Sequence, residues 1–386
     1  MPQRTGRASV PAAVELGWVT RPLSPTLRIV TAAETTTPDS AELPASMRVS
    51  VLRAPHDVGV EERPTPRPGS RRVLVKVLSV GTCGSDTHYY EHGRIGDHIV
   101  ERPLVLGHEA SGEIVELGPD VTGLTVGQRI SIEPGVPDFT CSECKAGRYN
   151  LCPRMVFFGT PPIDGAFAQY VVVHESMAYP VTDDVSDDAA ALLEPVSVAV
   201  WSCTKGAVRP GSRVLVTGAG PIGLLVTQVA RAFGASSVVV TDVNPHRLAL
   251  AARLGATRTI DVSSEDLAAA FDDTTAPDVF IDASGVPAVV KAGVRALRPA
   301  GRAVLVGMGA DEVALPVSRI QNFELTVTGT FRYANTWPTA LELVRSGQID
   351  VGTLVTHRVG LADVELALTA ASRDATAVKV IVRPQE

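Results

Sequence analysis

Residues 213–223 read RVLVTGAGPIG. An aliphatic, β-branched run turns through two glycines and continues into an apolar segment that opens with Pro221, which is the change of period expected where a strand feeds a helix. Gly218, Gly220 and Gly223, with Pro221 and Ile222 between the last two, form a GxGxxG pattern. Glycine-rich turns are common, so the pattern carries weight only through its context. Here it follows a strand, opens a helix, and has Asp242 placed 19 residues beyond Gly223 at the end of the next strand, SVVVTD. The first glycine permits a tight turn, the second lets a pyrophosphate approach the backbone, and the third lets the helix pack closely. The helix N-terminus adds free amides and the positive end of a dipole. A carboxylate at Asp242 accepts hydrogen bonds from the adenosine ribose hydroxyls and repels a 2′-phosphate, so the cofactor expected is NAD. Arg247 keeps NADP open, because a guanidinium there can neutralise Asp242 or reach a phosphate.

Outward from this stretch, strands and helices alternate. RVLVTG, SVVVTD, RTID, VFIDAS, RAVLVGM and ELTVTGT read as six strands, with helices from Pro221 to about Phe233 and from Pro245 to Leu254. Such alternation predicts a doubly wound parallel sheet. Before it, from Met47 to about Val196, the chain shows short strands broken by Gly and Pro, such as MRVSVLRAP and RRVLVKVLSV, the pattern of an irregular β-rich domain. After it come two amphipathic helices, TWPTALELVRSG and ADVELALTAA, and a closing strand, AVKVIVRP. The expected organisation is α/β, with residues 197–332 as a nucleotide-binding domain inserted between 47–196 and 333–386 of the β-rich domain. Residues 1–46 show no sustained period and read as a poorly ordered extension, or as the product of a start site placed too early.

A length of 386 residues fits two cores, and 45% hydrophobic with 20% charged residues is the balance of a globular protein. A formal charge of −7 without a basic run argues against nucleic acid as a partner. Neither a run of about 18 apolar residues nor a signal-peptide pattern occurs, so no membrane partner and a cytoplasmic location are expected. Five cysteines are too few for a disulfide scaffold, and three of them cluster at Cys141, Cys144 and Cys152, which points to metal.

Cys83, Ser85, Asp86 and His88 bring four chemically active side chains into six positions, and His108-Glu109 and Glu194 follow in separate segments. A thiolate, an imidazole and a carboxylate suit zinc, and three protein ligands leave a fourth position open for catalysis. Taken singly, each of these residues is more often structural.

The segments GTCGSDTHYYEHGRIGD (81–97), LGHEASG (106–112), GRYNLC (147–152), TPPIDGAF (160–167), LLEPVSVAVW (192–201), GAGPIG (218–223) and GTFRYANTWP (329–338) are, in this order, similar to the sorbitol dehydrogenase branch of the zinc-dependent medium-chain dehydrogenases. The resemblance runs from about residue 47 to the end. It implies a GroES-like catalytic domain that carries the inserted Rossmann domain. It also implies oxidation of a polyol to a ketose, with zinc polarising the alcohol and hydride passing to NAD. Cys83 and His108 match its catalytic zinc ligands; Glu109 and Glu194 both match carboxylates near that metal, and the sequence leaves their order open. Asp86 matches the residue that orients the ligating His. Ser85 and His88 match a proton relay, Tyr89, Arg332 and Tyr333 the contacts to substrate and its water, with Thr160 and Phe158 as weaker candidates. Cys141, Cys144 and Cys152 match the last three ligands of a structural zinc lobe, and Asp138 stands where the first cysteine would be. The family also implies a homo-oligomer, a tetramer or a dimer. Rival readings are a threonine or 2,3-butanediol dehydrogenase of the same family, a zinc-free quinone reductase, which would lack the Cys83 and His108 pair, and an NAD-binding redox sensor without catalysis.

Overall fold

The computed structural model describes residues 43–386, so the reading of residues 1–46 as an extension lies, up to residue 42, outside the described residues. The first strands, β1 (Ser46–Ala54) and β2 (Asp57–Pro64), form an antiparallel hairpin. β3 (Arg72–Gly81) is the spine of the first sheet: it pairs antiparallel with three strands, and most of its side chains are buried. After it comes a short helix, α1 (Gly84–His92), which the sequence reading did not single out. It closes on Gly93, which takes a left-handed conformation and whose N–H donates to Tyr89 O. Next come β4 (Glu109–Leu117), β5 (Arg129–Ile132), β6 (Tyr170–His174) and β7 (Ala178–Pro180), then the long helix α2 (Leu193–Lys205).

The chain then builds the second sheet. β8 (Arg213–Thr217), α3 (Pro221–Ala232), β9 (Ser237–Asp242), α4 (Pro245–Arg253), β10 (Arg258–Asp261), β11 (Val279–Asp282), α5 (Pro287–Ala296), β12 (Arg302–Leu305) and β13 (Thr326–Gly329) follow in sequence. All six strands run parallel in the order β10-β9-β8-β11-β12-β13, which reverses direction at β8. This is the doubly wound order, and it opens a crevice at the carboxyl ends of β8 and β11. Both faces are covered, as a parallel sheet requires. Val214, Val216, Val238 and Ile281 pack on one side with α2 and α3; Leu215, Val239, Phe280 and Ala303 pack on the other with Val294 of α5.

From there the chain returns. α6 (Trp337–Arg345) buries Trp337, Ala340 and Leu343 in the same cluster as Val196 and Val200 of α2. β14 (Val355–Gly360), α7 (Val364–Arg373) and β15 (Lys379–Arg383) complete the first sheet, whose order is β7-β5-β4-β3-β15-β14 with β6 also on β3. The last strand thus returns to β3, where Ile381 faces Gly81 in register.

The third glycine of the 218–223 turn is fixed by contact. A Cβ on Gly223 would overlap the carbonyl oxygen of Gly218, a backbone atom that cannot move without shifting strand against helix. Gly223→Ala is therefore expected to cost ~1–3 kcal/mol of stability and to weaken NADH binding by roughly tenfold or more. Fluorescence titration with NADH beside thermal unfolding checks this, and wild-type affinity in the variant contradicts it.

Candidate active site

The site begins at the end of β3, where Cys83 caps the N-terminus of α1. Its own N–H donates to Asp86 Oδ2 at 2.9 Å. The other oxygen of the same carboxylate, Asp86 Oδ1, accepts the N–H of Gly107 at 3.0 Å and stands 3.7 Å from His108 Nδ1. Asp86 is fully buried, so one carboxylate fixes the two segments that carry the thiol and the imidazole. Burial alone would disfavour a charged imidazole at His108. The charges of Asp86 and Cys83 outweigh it and hold the His108 pKa well above its usual value.

Glu109, the next residue, opens β4 and brings a carboxylate oxygen near the His108 ring. Its two oxygens both accept from Lys379 Nζ at 2.8 Å, and that ammonium also donates to Thr82 O at 3.0 Å. Both partners are buried. Burial would push the Lys379 ammonium toward its neutral form, but the adjacent Glu109 carboxylate more than compensates and raises its pKa. Gly81 makes the room, since a Cβ there would overlap Glu109 Oε2.

Cys83, His108 and Glu109 each bring a donor atom within 4.8 Å of the others. One thiol, one imidazole and one carboxylate, ringed by further buried acid, fit zinc in both donor type and charge. Glu194, on the first turn of α2, is buried just outside this triad. Desolvation, reinforced by the charge of Glu109, pushes its pKa up to about 7. Neighbouring Tyr333 is buried, and desolvation together with the facing Glu194 carboxyl holds its phenol pKa well above the usual value.

Around this centre lie the other residues singled out by sequence. Tyr89 is buried beside Thr160, and both Arg332 and His108 act on it electrostatically. The Arg332 guanidinium stacks 3.8 Å from the centroid of the Phe157 ring, whose own centroid is 5.7 Å from that of His108. Phe157, not Phe158, therefore borders the site. Phe158, just past the short strand Val156–Phe157, instead lines a separate cavity with Met47, Val49 and Val105. Two further neighbours escaped the sequence reading. Lys379 looks like an ordinary polar residue of a terminal strand, and Gly81 stands in the sequence only as the first residue of the 81–97 segment.

A cavity of about 370 Å³ joins the metal triad to the nucleotide turn: Cys83, Glu109 and Lys379 line one wall, and Gly220, Pro221 and Ile222 the other. His88, exposed on α1, also lines it, whereas Ser85 is half-buried at the start of the helix outside the lining. Asp242 ends β9. Its Oδ1 accepts from Val243 N and Asn244 N at 2.8 Å each, and its Oδ2 from Ala219 N at 2.6 Å. By that count Oδ2 keeps one acceptor position for a ribose hydroxyl. Arg247 enters the same cavity with a buried Nε that has no hydrogen-bond partner among the described residues.

In the second cluster, Asp138, Cys141, Cys144 and Cys152 also bring their donor atoms within 4.8 Å of one another. Asp138 Oδ1 accepts from Thr140 N at 2.8 Å and Cys141 N at 2.9 Å; these backbone bonds hold its carboxyl below the usual range. Cys144 N and Asp138 N donate to the sulfurs of Cys141 and Cys152 at 3.4 Å. Three thiols and one carboxylate, with Arg154 paired to that carboxylate, fit a closed zinc site.

Two family models match this chain, Alcohol dehydrogenase GroES-like domain over residues 69–183 and Zinc-binding dehydrogenase over residues 221–346. The chain belongs to the zinc-dependent medium-chain alcohol dehydrogenases, with a GroES-like catalytic domain and a Rossmann-type parallel sheet. Within that family it falls in the sorbitol dehydrogenase branch. It is 44% identical to sorbitol dehydrogenase from Gallus gallus, over 82% of this chain and 90% of that protein. Sorbitol dehydrogenase from Bacillus subtilis is 38% identical over 89% and 98%. Among solved structures, 2R,3R-butanediol dehydrogenase from Bacillus subtilis superposes with a TM-score of 0.81 at 32% identity, covering 88% of this chain and 99% of that one.

Replacing Lys379 with methionine leaves Glu109 buried without its counter-ion, which is expected to cost about 3–5 kcal/mol in the metal-free protein. If Glu109 faces zinc, saturating zinc supplies the missing positive charge and recovers part of that loss. Urea unfolding of metal-free and zinc-loaded Lys379→Met reads both, and an equal loss in the two forms contradicts the placement of Glu109 at the metal.

Proposed function

We propose that this protein oxidises a secondary hydroxyl of a polyol of the sorbitol, xylitol or L-iditol type to a ketose and passes the hydride to NAD. The observation that carries this reading is the single cavity walled by Cys83 and Glu109, two members of the triad with His108, on one side and the Gly220–Ile222 turn on the other. Zinc held by the triad supplies the Lewis acidity that makes an alcohol easier to deprotonate at neutral pH. The chain's own residues do the rest. Asp86 keeps Cys83 and His108 in place, and Lys379 holds the Glu109 carboxylate toward the triad with its charge balanced. Between these two carboxylates the structure favours Glu109 as the third ligand, since its oxygen lies within the triad and that of Glu194 does not. Glu194 then serves water or substrate at the open position.

Tyr89, Arg332 and Tyr333 bring donors and acceptors to the His108 and Glu194 side of the triad. Several such groups suit a substrate with several hydroxyls better than one with two, which favours a polyol over 2,3-butanediol. His88, at the cleft, and Ser85 are assigned the passage of the released proton. At the adenosine end the Asp242 carboxylate selects NAD by hydrogen bonding to the ribose and repelling a 2′-phosphate. The Asp138, Cys141, Cys144 and Cys152 cluster is assigned a second, structural zinc. Residues 47–196 and 333–386 make up the catalytic domain of this reading and 197–332 the cofactor domain. No helix among the described residues is long and apolar enough to cross a membrane; a cytoplasmic homo-oligomer, dimeric or tetrameric, completes the proposal.

Steady-state kinetics on sorbitol, xylitol, L-iditol, L-threonine and 2,3-butanediol, each with NAD and with NADP, test it. The expected result is the highest kcat/KM on a polyol with NAD, at least about a hundredfold above 2,3-butanediol, because a site built to bond hydroxyls leaves polar groups unpaired around a substrate that lacks them. Preference for threonine or butanediol moves the substrate assignment to those alcohols, and preference for NADP shows that Arg247 prevails over Asp242.

A further inference from the structure

Three hydrogen bonds join the cysteine lobe to the segment that carries Arg332 and Tyr333, and a fourth anchors the lobe itself. Asn150 Nδ2 donates to Phe331 O at 2.8 Å. Asn335 N donates to Tyr149 Oη at 2.9 Å, and Asn335 Nδ2 donates to Gly147 O at 2.9 Å. Tyr149 Oη in turn donates to Glu133 Oε1 at 2.8 Å, on a buried carboxyl whose pKa desolvation raises. The bonds therefore grip Phe331 and Asn335, the two ends of a five-residue stretch with Arg332 and Tyr333 inside it.

That stretch needs gripping. Arg332 has φ 53° and Asn335 φ 59°, left-handed values that asparagine tolerates but that are uncommon for arginine. A backbone in such a region persists only where its surroundings over-determine it. Tyr149 and Asn150 supply that determination, and they sit in the turn Tyr149–Leu151 that leads directly into Cys152. The geometry on the far side depends on it: the left-handed turn at Arg332 sets the guanidinium on the Phe157 ring and leaves Tyr333 Oη beside Glu194.

We propose that Tyr149 and Asn150 are positioning residues for the substrate, acting through the Phe331–Asn335 segment to set Arg332 and Tyr333, so that the cysteine lobe governs how the alcohol is held as well as how the fold is stabilised. The proposal rests on the reading of Arg332 and Tyr333 as substrate contacts. Neither Tyr149 nor Asn150 reaches the zinc triad or the nucleotide turn. Their loss should therefore reach the reaction through substrate binding alone.

Tyr149→Phe removes only the hydroxyl that holds Asn335 and Glu133, and Asn150→Ala removes the bond to Phe331 O, so either variant serves if the other fails to fold. Each is assayed with the alcohol from the panel that the wild type oxidises best, alone and combined with Arg332→Ala. The expected result is a KM for the alcohol raised roughly tenfold, with NADH affinity and zinc content within about twofold of wild type. In the Arg332→Ala background the same change should have little further effect, as coupled residues behave. Unchanged KM, effects that add to those of Arg332→Ala, or a fall in NADH affinity and zinc content alongside KM would each overturn the proposal. A best substrate that is not a polyol would instead count against the substrate assignment, and the mutant cycle decides this inference regardless.

Discussion

Asp86 is the constraint on which the rest of the site hangs. A carboxylate taken wholly out of water is costly unless its oxygens are satisfied and its charge compensated. Here it accepts the N–H of Cys83 and the N–H of Gly107 and lies against the His108 imidazole. Two chain segments that are 24 residues apart at Cys83 and Gly107 are thereby locked to one another. The lock points both donor atoms at one place. Because Cys83 is also the residue that starts α1, the same carboxylate fixes where that helix begins, and with it the positions of His88 and Tyr89.

A second buried pair completes the arrangement from the other end of the chain. Lys379 belongs to β15, which docks antiparallel on β3, and this docking alone brings the ammonium against Glu109. Either charge left alone in that setting would be strongly destabilising. Metal binding, the return of the C-terminal strand and the missing side chain at Gly81 are for that reason one problem, solved together. The parallel sheet contributes the opposite wall of the cavity. Its crevice opens where strand order reverses at β8, which is also where the Gly218–Gly223 turn lies.

Much of this was legible in the sequence because the signals are local. A strand, a glycine turn, a helix and an acidic residue at the next strand end fall within 30 residues, and all six parallel strands appear where the alternation puts them. Cys83 and His108 were legible through the family resemblance of the short runs that carry them, which left Glu109 and Glu194 unranked. What escaped depends on contacts between distant segments. Lys379 alternates with valines and isoleucines as any solvent-facing strand residue would, and only the pairing of β15 with β3 buries it. Phe157 and Phe158 are equivalent in composition, and only the folded backbone, in which Phe157 ends a short strand, shows which one meets Arg332. The bonds from Tyr149 and Asn150 cross about 180 residues of chain, a separation at which no periodicity speaks.

Zinc K-edge X-ray absorption of the purified protein and of Cys83→Ala addresses the metal assignment directly. With both clusters filled, four sulfurs are shared by two metals, so the wild type should show about two sulfurs per zinc near 2.3 Å with nitrogen and oxygen at about 2.0–2.2 Å. Removing the Cys83 thiol should release the metal of the buried triad and raise the average to about three sulfurs per remaining zinc, with loss of alcohol oxidation. Zinc content and sulfur number that do not change in Cys83→Ala would contradict the account.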